Sequence, residues 1–472
     1  MTEFSHDTYI SPYTWRYGSE EMHRVFSEVH KRKLLRRVWI ALARAEMKAG
    51  LVSEEQVKEL EAHKDDIDIE RAAEIENTIH HDLMAEIKTY AEQCPKAGGI
   101  IHLGATSMDA LDNADAIRFK EAMDIIIDKT ISLADLFAEK AREYKATATM
   151  AFTHIQPAEV TTIGYRLSQT LQDLSDDLEE LFSVRDGIRG KGMKGAVGTA
   201  ASYHELLEGS GMTSIDLENM VMEELGIKSY DAATQIYSRK QDLRIIAVLS
   251  SLACTLHKFS QDFRILQSPP IGEFSEPFGR FQVGSSAMPF KRNPINSEKI
   301  DSLCRLIESS YQSAWMNAAT TVLERSLDDS ANRRIFISEA FIAADEILST
   351  EIKIVKGMNV HSDATKRLLG NYGIFAATER LLMELGKRGA DRQEMHEVIR
   401  EESLKSWKIL QEGGENPLLS NLISDKRILQ YMSADEIKGL LNADSYVGDA
   451  EERTEMVIST YISRRPALNN AK

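Results

Sequence analysis

Long stretches of apolar residues with helical spacing constrain the fold of this chain most strongly. Leucines recur at intervals of four and three through 163–188, and the same rhythm runs through 239–266 and 337–355. Two more segments, 111–144 and 295–322, are rich in apolar residues and contain no Pro or Gly. Five long amphipathic helices favour an antiparallel bundle. Because alternating strand patterns are scarce, the sequence predicts an all-α fold, although the same stripes would also suit a coiled-coil scaffold.

The length of the chain predicts more than one domain. A chain of 472 residues is too long for one compact core. We predict three helical domains, with the long helices in a central bundle at 107–358. An N-terminal helical domain, 1–106, carries short motifs, and a C-terminal helical domain, 359–472, has shorter and more polar helices. The boundaries therefore lie near Thr106 and Met358.

Charge and cysteine content narrow the classes of function. The formal net charge is −17, which repels nucleic acid at long range, and no basic stripe offsets it. A small anionic ligand would need cations gathered locally. Segment 1–17 lacks the basic and apolar parts of a secretory signal, and no stretch approaches 18 uninterrupted apolar residues. Cys94, Cys254 and Cys304 are too scattered for a disulfide framework. We therefore expect a cytosolic protein, and the lack of a long apolar stretch predicts that it lies outside any membrane.

A loop punctuated by proline and glycine, 268–293, separates two of the predicted helices. Loops of this length between strong helices are more often functional than idle. Its end, 284–294, reads GSSAMPFKRNP. Small residues let backbone N–H groups approach an anion, and the serines, Lys291 and Asn293 add donors. The composition predicts an oxyanion-type cradle, although a solvated loop with chance cations would have the same composition.

The pattern GSSxMPxKxNP resembles the hallmark loop of the fumarase/aspartase superfamily. Motifs 153–158 (THIQPA) and 104–109 (GATSMD) resemble the Thr-His and Thr-Ser motifs of the same superfamily. Further segments are similar to the adenylosuccinate lyase family, especially its animal-type branch, namely 16–22, 81–85, 235–239 and 324–334. The resemblance extends along nearly the whole chain. It implies a fumarase/aspartase-like fold and a carbon–nitrogen lyase.

The reaction implied by this resemblance is β-elimination of fumarate from adenylosuccinate, and from the succinyl-carboxamide imidazole ribotide of purine biosynthesis. A base removes a proton next to a carboxylate, and an acid protonates the departing nitrogen. The resemblance assigns Ser285 as base, His154 as acid, and Glu298 as the carboxylate that holds the acid histidine. Serine is a poor base at its ordinary pKa, so its surroundings must favour the alkoxide. Proton transfer and charge stabilisation require no cofactor and no metal.

The substrate carries a phosphate and two carboxylates, so cations and donors must converge on both of its ends. By resemblance, the phosphate end is assigned to Arg16, Tyr17, Ser330 and Arg334, with Arg325 nearby. The succinyl carboxylates are assigned to Thr106, Ser107, Gln235, Lys291 and Asn293. If 325–334 is helical at its end, residues 330 and 334 share one face. The same run could instead be a capping segment in which Asp328 or Asp329 opens the next helix.

Three further parts of the sequence bear on the resemblance. His80, His81 and Asp82 resemble the base-side or phosphate-side histidine motif of the family, and we reject a metal site because consecutive residues on a helix diverge. At Lys299 the animal-type enzymes have an arginine that reaches the substrate. A lysine there keeps the charge and loses the bidentate fork. Residues 151–152 are Ala-Phe, where many relatives have Gly-Arg.

Two other functions have their own discriminating features. Argininosuccinate lyase shares the loop, but its substrate has no phosphate and would not need Arg16, Arg325 and Arg334 together. A non-catalytic helical scaffold of the same fold would not need both His154 and Ser285.

Chain geometry predicts that each site is shared between subunits. The predicted helix 111–144 would span about 50 Å at 1.5 Å per residue, and it separates Thr106 from His154. The helix 295–322 separates the Ser285 loop from Arg334 in the same way. One chain therefore cannot bring both motifs to one substrate unless such a helix folds back. The superfamily resolves this as a homotetramer in which each site draws on three chains.

Overall fold

The structure of the protein is a computed structural model that describes residues 7–470. The ends of the predicted terminal domains, and part of the segment 1–17, therefore lie outside the described residues. The α-helices of the described part, in chain order, are α1 (Pro12–Trp15), α2 (Glu20–Phe26), α3 (Glu28–Lys48), α4 (Glu54–Ala62), α5 (Ile69–Ile79), α6 (Asp82–Gln93), α7 (Ser107–Glu143), α8 (Ile163–Gly187), α9 (Ala201–Leu206), α10 (Ser214–Leu225), α11 (Lys240–Gln267), α12 (Ile295–Thr320), α13 (Ser330–Gly357), α14 (Ser362–Leu368), α15 (Ile374–Lys387), α16 (Arg392–Gln411), α17 (Leu418–Leu422), α18 (Lys426–Leu429), α19 (Ala434–Leu440) and α20 (Ala450–Asn470).

Short strands and other helical turns complete the described part of the chain. The strands are β1 (Ala148–Thr153), β2 (Gln156–Thr162), β3 (Arg189–Gly190), β4 (Lys228–Ser229), β5 (Phe274–Ser275) and β6 (Asn359–Val360). They pair as β1–β2 and β5–β6, both antiparallel, and as β3–β4, which is parallel. Turns of 3-10 helix occupy Gly98–Ile100 and Ala443–Ser445, and a π-helical turn occupies Leu369–Gly373. The all-α class predicted from the sequence is confirmed.

The five long helices predicted from apolar periodicity are all present. They are α7, α8, α11, α12 and α13, and each is at least 25 residues long. Four begin within four residues of their predicted start. The fifth, α13, begins at Ser330, seven residues before its apolar rhythm starts at Ile337. Its first five residues, 330–334, are mostly polar, and they contribute to the site described below.

The chain divides into two compact units, and all the boundaries between them fall inside the long helices. Unit 1 comprises 1–131, 177–256 and 301–349, and unit 2 comprises 132–176, 257–300 and 350–472. These two units are defined by compactness, and their boundaries differ from those predicted at Thr106 and Met358. The assignment of three helical domains therefore stays a prediction.

Each unit has its own buried core. In unit 1, α3 packs against α4 and α10 and buries Trp39 and its apolar neighbours. Glu46 of the same helix is also fully buried, and neither of its carboxylate oxygens has a hydrogen-bond partner among the described residues. In unit 2, α15, α16, α17 and α19 enclose a continuous apolar cluster that includes Leu381, Val398 and Ile437.

One described helix, α11, is long and apolar enough to cross a membrane by length and composition alone. In its most apolar 18-residue window, 56% of the residues are buried inside the protein. Core helices of soluble proteins commonly have this pattern. The expectation that the chain does not enter a membrane stays a prediction.

Candidate active site

A cavity of about 620 Å³ opens in unit 1, within the size range of small-molecule sites. Nine residues that the sequence assigned to substrate binding line it, namely His80, His81, Asp82, Thr106, Ser107, Gln235, Arg325, Ser330 and Arg334. Its other charged lining residues are Glu28, Lys31, Glu76, Asp115, Arg118, Arg239, Asp329 and Arg333. Six of the charged lining residues are Lys or Arg and five are Asp or Glu, so cations are gathered here together with carboxylates.

The His-His-Asp triplet lies in the turn between α5 and α6. His80 ends α5 in a left-handed conformation (φ 55°), and His81 caps α6 by accepting the Met84 N–H at its Nδ1, 3.3 Å away. These residues therefore do not lie on one helix, contrary to the geometry predicted from the sequence. No group of three or more metal-ligating side chains that could hold an ion is found among residues 7–470.

Thr106 and Ser107 lie at the start of α7, where helical N–H groups have no partner within the helix. The Thr106 carbonyl accepts the Asp109 N–H at 2.9 Å, and the Asp109 carboxylate accepts the Thr106 N–H at 3.0 Å. The Asp109 side chain thus reaches back to the first turn as in half of a capping box, and the backbone carbonyl of Thr106 makes the second bond. The start of α7 is thus held in one conformation beside the cavity.

Ser330 and Arg334 occupy the first two turns of α13, and both line the cavity as the four-residue spacing predicted. Asp329 directly precedes the helix, and its carboxylate accepts from Arg239, so the capping role considered as an alternative stays a prediction. Arg334 donates to the Asp82 carboxylate at 2.7 Å. Partial burial opposes ionisation of Asp82, but the Leu83 N–H and the Arg334 guanidinium outweigh burial and lower the pKa of this carboxyl. A phosphate bound at Arg334 would have to share this guanidinium with Asp82.

A network of buried ion pairs forms one wall of the cavity. Arg239 donates to Asp112 at 3.0 Å and to Asp329 at 2.7 Å. Arg333 donates to Asp242 at 2.6 Å, and both arginine side chains are more than 90% buried. Tyr237 lies below them, with its ring 4.7 Å from the Arg239 guanidinium carbon, and it donates to Asp242 at 2.8 Å. The network fixes the positions of two cations that the sequence interpretation had missed.

Arg16 and Tyr17 do not line this cavity, although the sequence assigned them to the phosphate. They follow α1 in unit 1, where Arg16 is exposed and lies 6.0 Å from the Tyr17 ring. The next residue, Gly18, donates to Glu346 at 3.0 Å. The described chain therefore does not bring these two residues together with Ser330 and Arg334.

His154 lies in unit 2, in the two-residue turn that joins β1 to β2. Both turn residues have positive φ angles, 54° for His154 and 59° for Ile155. Two-residue hairpins of this form favour Asn-Gly, because a β-branched residue at positive φ is strained. The His154 side chain is exposed and has no hydrogen-bond partner among residues 7–470, and Ile155 is 66% exposed. Backbone strain of this kind concentrates at functional sites.

Ser285 is half-buried in the unit 2 loop, and the backbone around it directs N–H groups at its hydroxyl. Its Oγ accepts from the Met288 N–H at 3.1 Å and from the Ala287 N–H at 3.4 Å. Hydrogen bonds to the charged form of a group favour ionisation. Gly284 is required beside it, because a Cβ there would lie 2.2 Å from the Lys291 carbonyl oxygen. Asn293 donates to the Gly284 carbonyl at 3.1 Å and closes the turn.

The first part of the loop is tied to the protein, whereas the Ser285 part is exposed. Glu273 is fully buried and accepts from Thr149 of β1 and from Arg166, the latter at 2.7 Å. Glu276 accepts from the backbone N–H of Ser297 at 2.7 Å and so anchors the start of α12. By contrast, Phe281 and other residues of 279–292 are mostly exposed. The loop therefore has a fixed stem, 268–276, and an exposed tip, 279–292.

Glu298 and Lys299 lie in the first turn of α12 in unit 2. Glu298 is exposed and its ion-pair partner within the chain is Arg264, with the closest atoms 3.7 Å apart. The resemblance assigns this carboxylate to an acid histidine, and the described chain does not form that contact. His154, Glu298 and the Ser285 loop all belong to unit 2. Among the described residues, no hydrogen bond or ion pair joins His154, Ser285 and Glu298 to one another.

Two family models match the chain. Residues 12–308 match the model described as Lyase, and residues 375–457 match the model described as Adenylosuccinate lyase C-terminus. The chain is 39% identical to adenylosuccinate lyase of Saccharomyces cerevisiae, over 96% of this chain and 94% of that protein. It is 38% identical to adenylosuccinate lyase of Schistosoma mansoni over 100% and 98%, and 36% identical to that of Pyrococcus abyssi over 95% and 97%.

Solved structures with the same fold are more distant in sequence. The 3-carboxy-cis,cis-muconate lactonizing enzyme of Pseudomonas putida superposes with a TM-score of 0.84, at 22% identity over 96% of this chain and 99% of that one. A fumarate lyase of a Mesorhizobium species superposes with a TM-score of 0.81, at 20% identity over 94% and 98%. At these identities the likeness concerns the fold alone.

Proposed function

Because this chain belongs to the adenylosuccinate lyase family, we propose that it eliminates fumarate from adenylosuccinate to leave AMP, and from the succinyl-carboxamide imidazole ribotide in the same way. One observation carries the proposal beyond family membership. A single cavity holds the phosphate-side residues Arg325, Ser330 and Arg334 together with the carboxylate-side donors of α7. A ligand with a phosphate at one end and carboxylates at the other matches this arrangement.

The proposed elimination needs one proton removed and one supplied. Ser285 as alkoxide takes a proton from the carbon next to a succinyl carboxylate, and the charge spreads into that carboxylate. The carbon–nitrogen bond then breaks, its electron pair goes to the purine-side nitrogen, and His154 protonates that nitrogen. Fumarate and the amine product leave, and return of a proton from the serine hydroxyl to the histidine restores the starting state of both groups.

The Met288 and Ala287 N–H groups support the role of Ser285. Both donate to its Oγ. Such preorganised donors stabilise negative charge without reorganisation during the reaction. Lys291, six residues further along the exposed loop tip, is proposed as a ligand of a succinyl carboxylate, together with Asn293 and Lys299.

We propose a homotetramer in which each site is completed by residues from more than one chain. His154 is exposed on a strained turn, and its proposed carboxylate partner Glu298 is paired with Arg264 within the chain. Helix α7 is unbroken over 37 residues, as the argument from chain geometry requires. On α12, the exposed large apolar residues Leu306, Trp315 and Met316 suit burial against another copy of the chain. Arg16 and Tyr17 would then reach a phosphate bound in a neighbouring subunit.

The deciding experiment is fumarate release by the purified protein mixed with adenylosuccinate. We expect turnover with the wild type, and turnover lower by a factor of about 10²–10⁴ or more with Ser285→Ala. Argininosuccinate serves as the matched substrate, because an argininosuccinate lyase would use it and would not need Arg325 and Arg334. Release of fumarate from argininosuccinate alone would contradict the proposal. A protein with no turnover of either substrate would instead be a helical scaffold. We also propose a cytosolic location, which subcellular fractionation would test.

A further inference from the structure

Asp109 is a fully buried carboxylate that the proposed reaction does not use. Its Oδ2 accepts the Thr106 N–H at 3.0 Å and is 3.4 Å from the Tyr203 hydroxyl. Its Oδ1 accepts from Lys191 Nζ at 2.6 Å and from the Lys194 N–H at 3.1 Å. A buried charge is costly unless it is paired and hydrogen-bonded, and here every direction is satisfied.

The bonds of Asp109 join two segments far apart in sequence. One is the start of α7 with Thr106 and Ser107, which line the cavity. The other is the turn 191–195, in which the Gly195 N–H also donates to the Asp109 carboxylate, at 3.1 Å from Oδ2. Lys191 closes this turn by donating to the Gly195 carbonyl at 2.7 Å. One carboxylate therefore fixes the position of the start of α7 relative to the turn 191–195.

Charge explains why the carboxylate needs a buried lysine. An acidic group in the first turn of a helix cancels part of the positive potential at the helix N-terminus. Lys191 is 0% exposed and lies against Asp109, so the pair is neutral. The first turn of α7 therefore keeps its attraction for a ligand carboxylate, while the capping geometry that Asp109 provides is retained.

We propose that Asp109, neutralised by Lys191, is the positioning residue of the carboxylate-binding end of the cavity, acting through Thr106 and Ser107. The inference rests on the proposed function, because it assumes that this end receives the succinyl or fumarate carboxylates. Neither side chain touches the ligand. The pair sets the direction of the Thr106 and Ser107 donors and the sign of the potential around them.

The test separates the two ends of the ligand by measuring inhibition by each product. In Asp109→Asn we expect the affinity for fumarate to fall about tenfold or more, because the lost donor geometry, comparable to one charge-assisted hydrogen bond, outweighs the attraction of the unpaired Lys191 for the dianion. The affinity for AMP should stay within about twofold, because its phosphate is held at Arg334. Lys191→Met should show the same split, because it leaves an unpaired carboxylate beside a dianion. Lys194→Met is the matched control, since Lys194 Nζ bonds Glu218 at 2.5 Å instead, and it should bind fumarate as the wild type does.

Several outcomes would overturn the inference. Equal loss of fumarate and AMP affinity in Asp109→Asn would mean a general structural role, and no loss of either would mean no role. If the single variants fail to fold, the neutral pair Asp109→Asn with Lys191→Met replaces them, with the same expected split.

Hydrogen exchange on the wild type provides a test that needs no variant. The Thr106 amide should be protected without ligand, and fast exchange there would contradict the proposal. Turnover of adenylosuccinate by the wild type is measured first. Its absence would refute the proposed function, whereas turnover with unchanged fumarate inhibition in Asp109→Asn would refute only this inference.

Discussion

Glu46 makes the stability of unit 1 depend on pH in an unusual direction. Burial raises the pKa of this carboxyl from 4.5 to about 8, because neither oxygen has a hydrogen-bond partner among the described residues. Burial also raises the pKa of the neighbouring Tyr203 well above its usual value, with Asp109 and Glu46 adding to the effect. At neutral pH both groups are therefore protonated in the folded protein.

The number of protons bound in each state determines whether the free energy of unfolding rises or falls with pH. Between pH 4.5 and about 8, folded Glu46 holds a proton that the unfolded chain has released. The unfolded state binds fewer protons, so the free energy of unfolding falls as pH rises through this range and stops falling above it. One pKa unit corresponds to about 1.4 kcal/mol. From pH 5 to pH 7 the contribution of this residue should therefore fall by about 3 kcal/mol.

The perturbation is Glu46→Gln, which keeps the shape of the protonated side chain and cannot ionise. The variant should have nearly wild-type stability at pH 5 and exceed the wild type by about 3 kcal/mol at pH 7. Glu70→Gln is the matched control, because Glu70 is exposed on α5 of the same unit. Its difference from the wild type should not change with pH.

The assay is urea unfolding at a fixed protein concentration, from pH 5 to pH 8, with refolding checked at each pH. The quantity that matters is the difference between variant and wild type, since other groups titrate equally in both. A difference that stays constant from pH 5 to pH 8 would refute the assignment of a buried, protonated Glu46. A variant less stable than the wild type at pH 8 would refute it too.

Further predictions concern the proposed site. His154→Ala and Ser285→Ala should each lower turnover by a factor of about 10²–10⁴ or more with the fold intact, and mixing the two under subunit exchange should restore activity, whereas exchange without recovery would place both residues of a site on one chain. Arg334→Ala should weaken adenylosuccinate binding far more than binding of the dephosphorylated nucleoside, and an equal loss for both would mean that Arg334 does not read phosphate. In the loop 268–293, hydrogen exchange should slow with bound product at the tip, 279–292, and unchanged exchange there would indicate a rigid cradle. Ile155→Gly should raise the free energy of unfolding by about 1 kcal/mol by relieving the strained turn, and a loss of stability would show that the Ile155 side chain is packed.

Apolar periodicity predicted the long helices because their buried faces determine where they run. It placed the start of α13 too late, since the first two turns are used for charge and ligand contacts: Arg333 is paired with Asp242, and Ser330 lines the cavity. Periodicity carries no information about such turns.

The motifs identified nine residues of the cavity, but the wall formed by Arg239 and Arg333 was missed. Both residues lie inside motifs described above, 235–239 and 324–334. The available signal was a pair of arginines in a chain with several nearby aspartates. Their partners Asp112 and Asp242 lie on other helices. Pairing across helices depends on packing, which a single sequence does not specify. The turn at His154 was also unpredictable, since an Ile at positive φ contradicts every local preference.

The ion-pair wall around Tyr237 has an evolutionary consequence. Arg239 has two carboxylate partners, Arg333 shares Asp242 with Tyr237, and all of these groups are buried. Losing one partner of a buried pair leaves a desolvated charge, at a cost of about 3–5 kcal/mol. A protein in which only one partner has been substituted would barely fold. Evolutionary change at these positions must therefore replace both partners of a pair together. These residues should therefore be inherited as one block, and changes in ligand preference should arise instead at exposed positions such as Arg334.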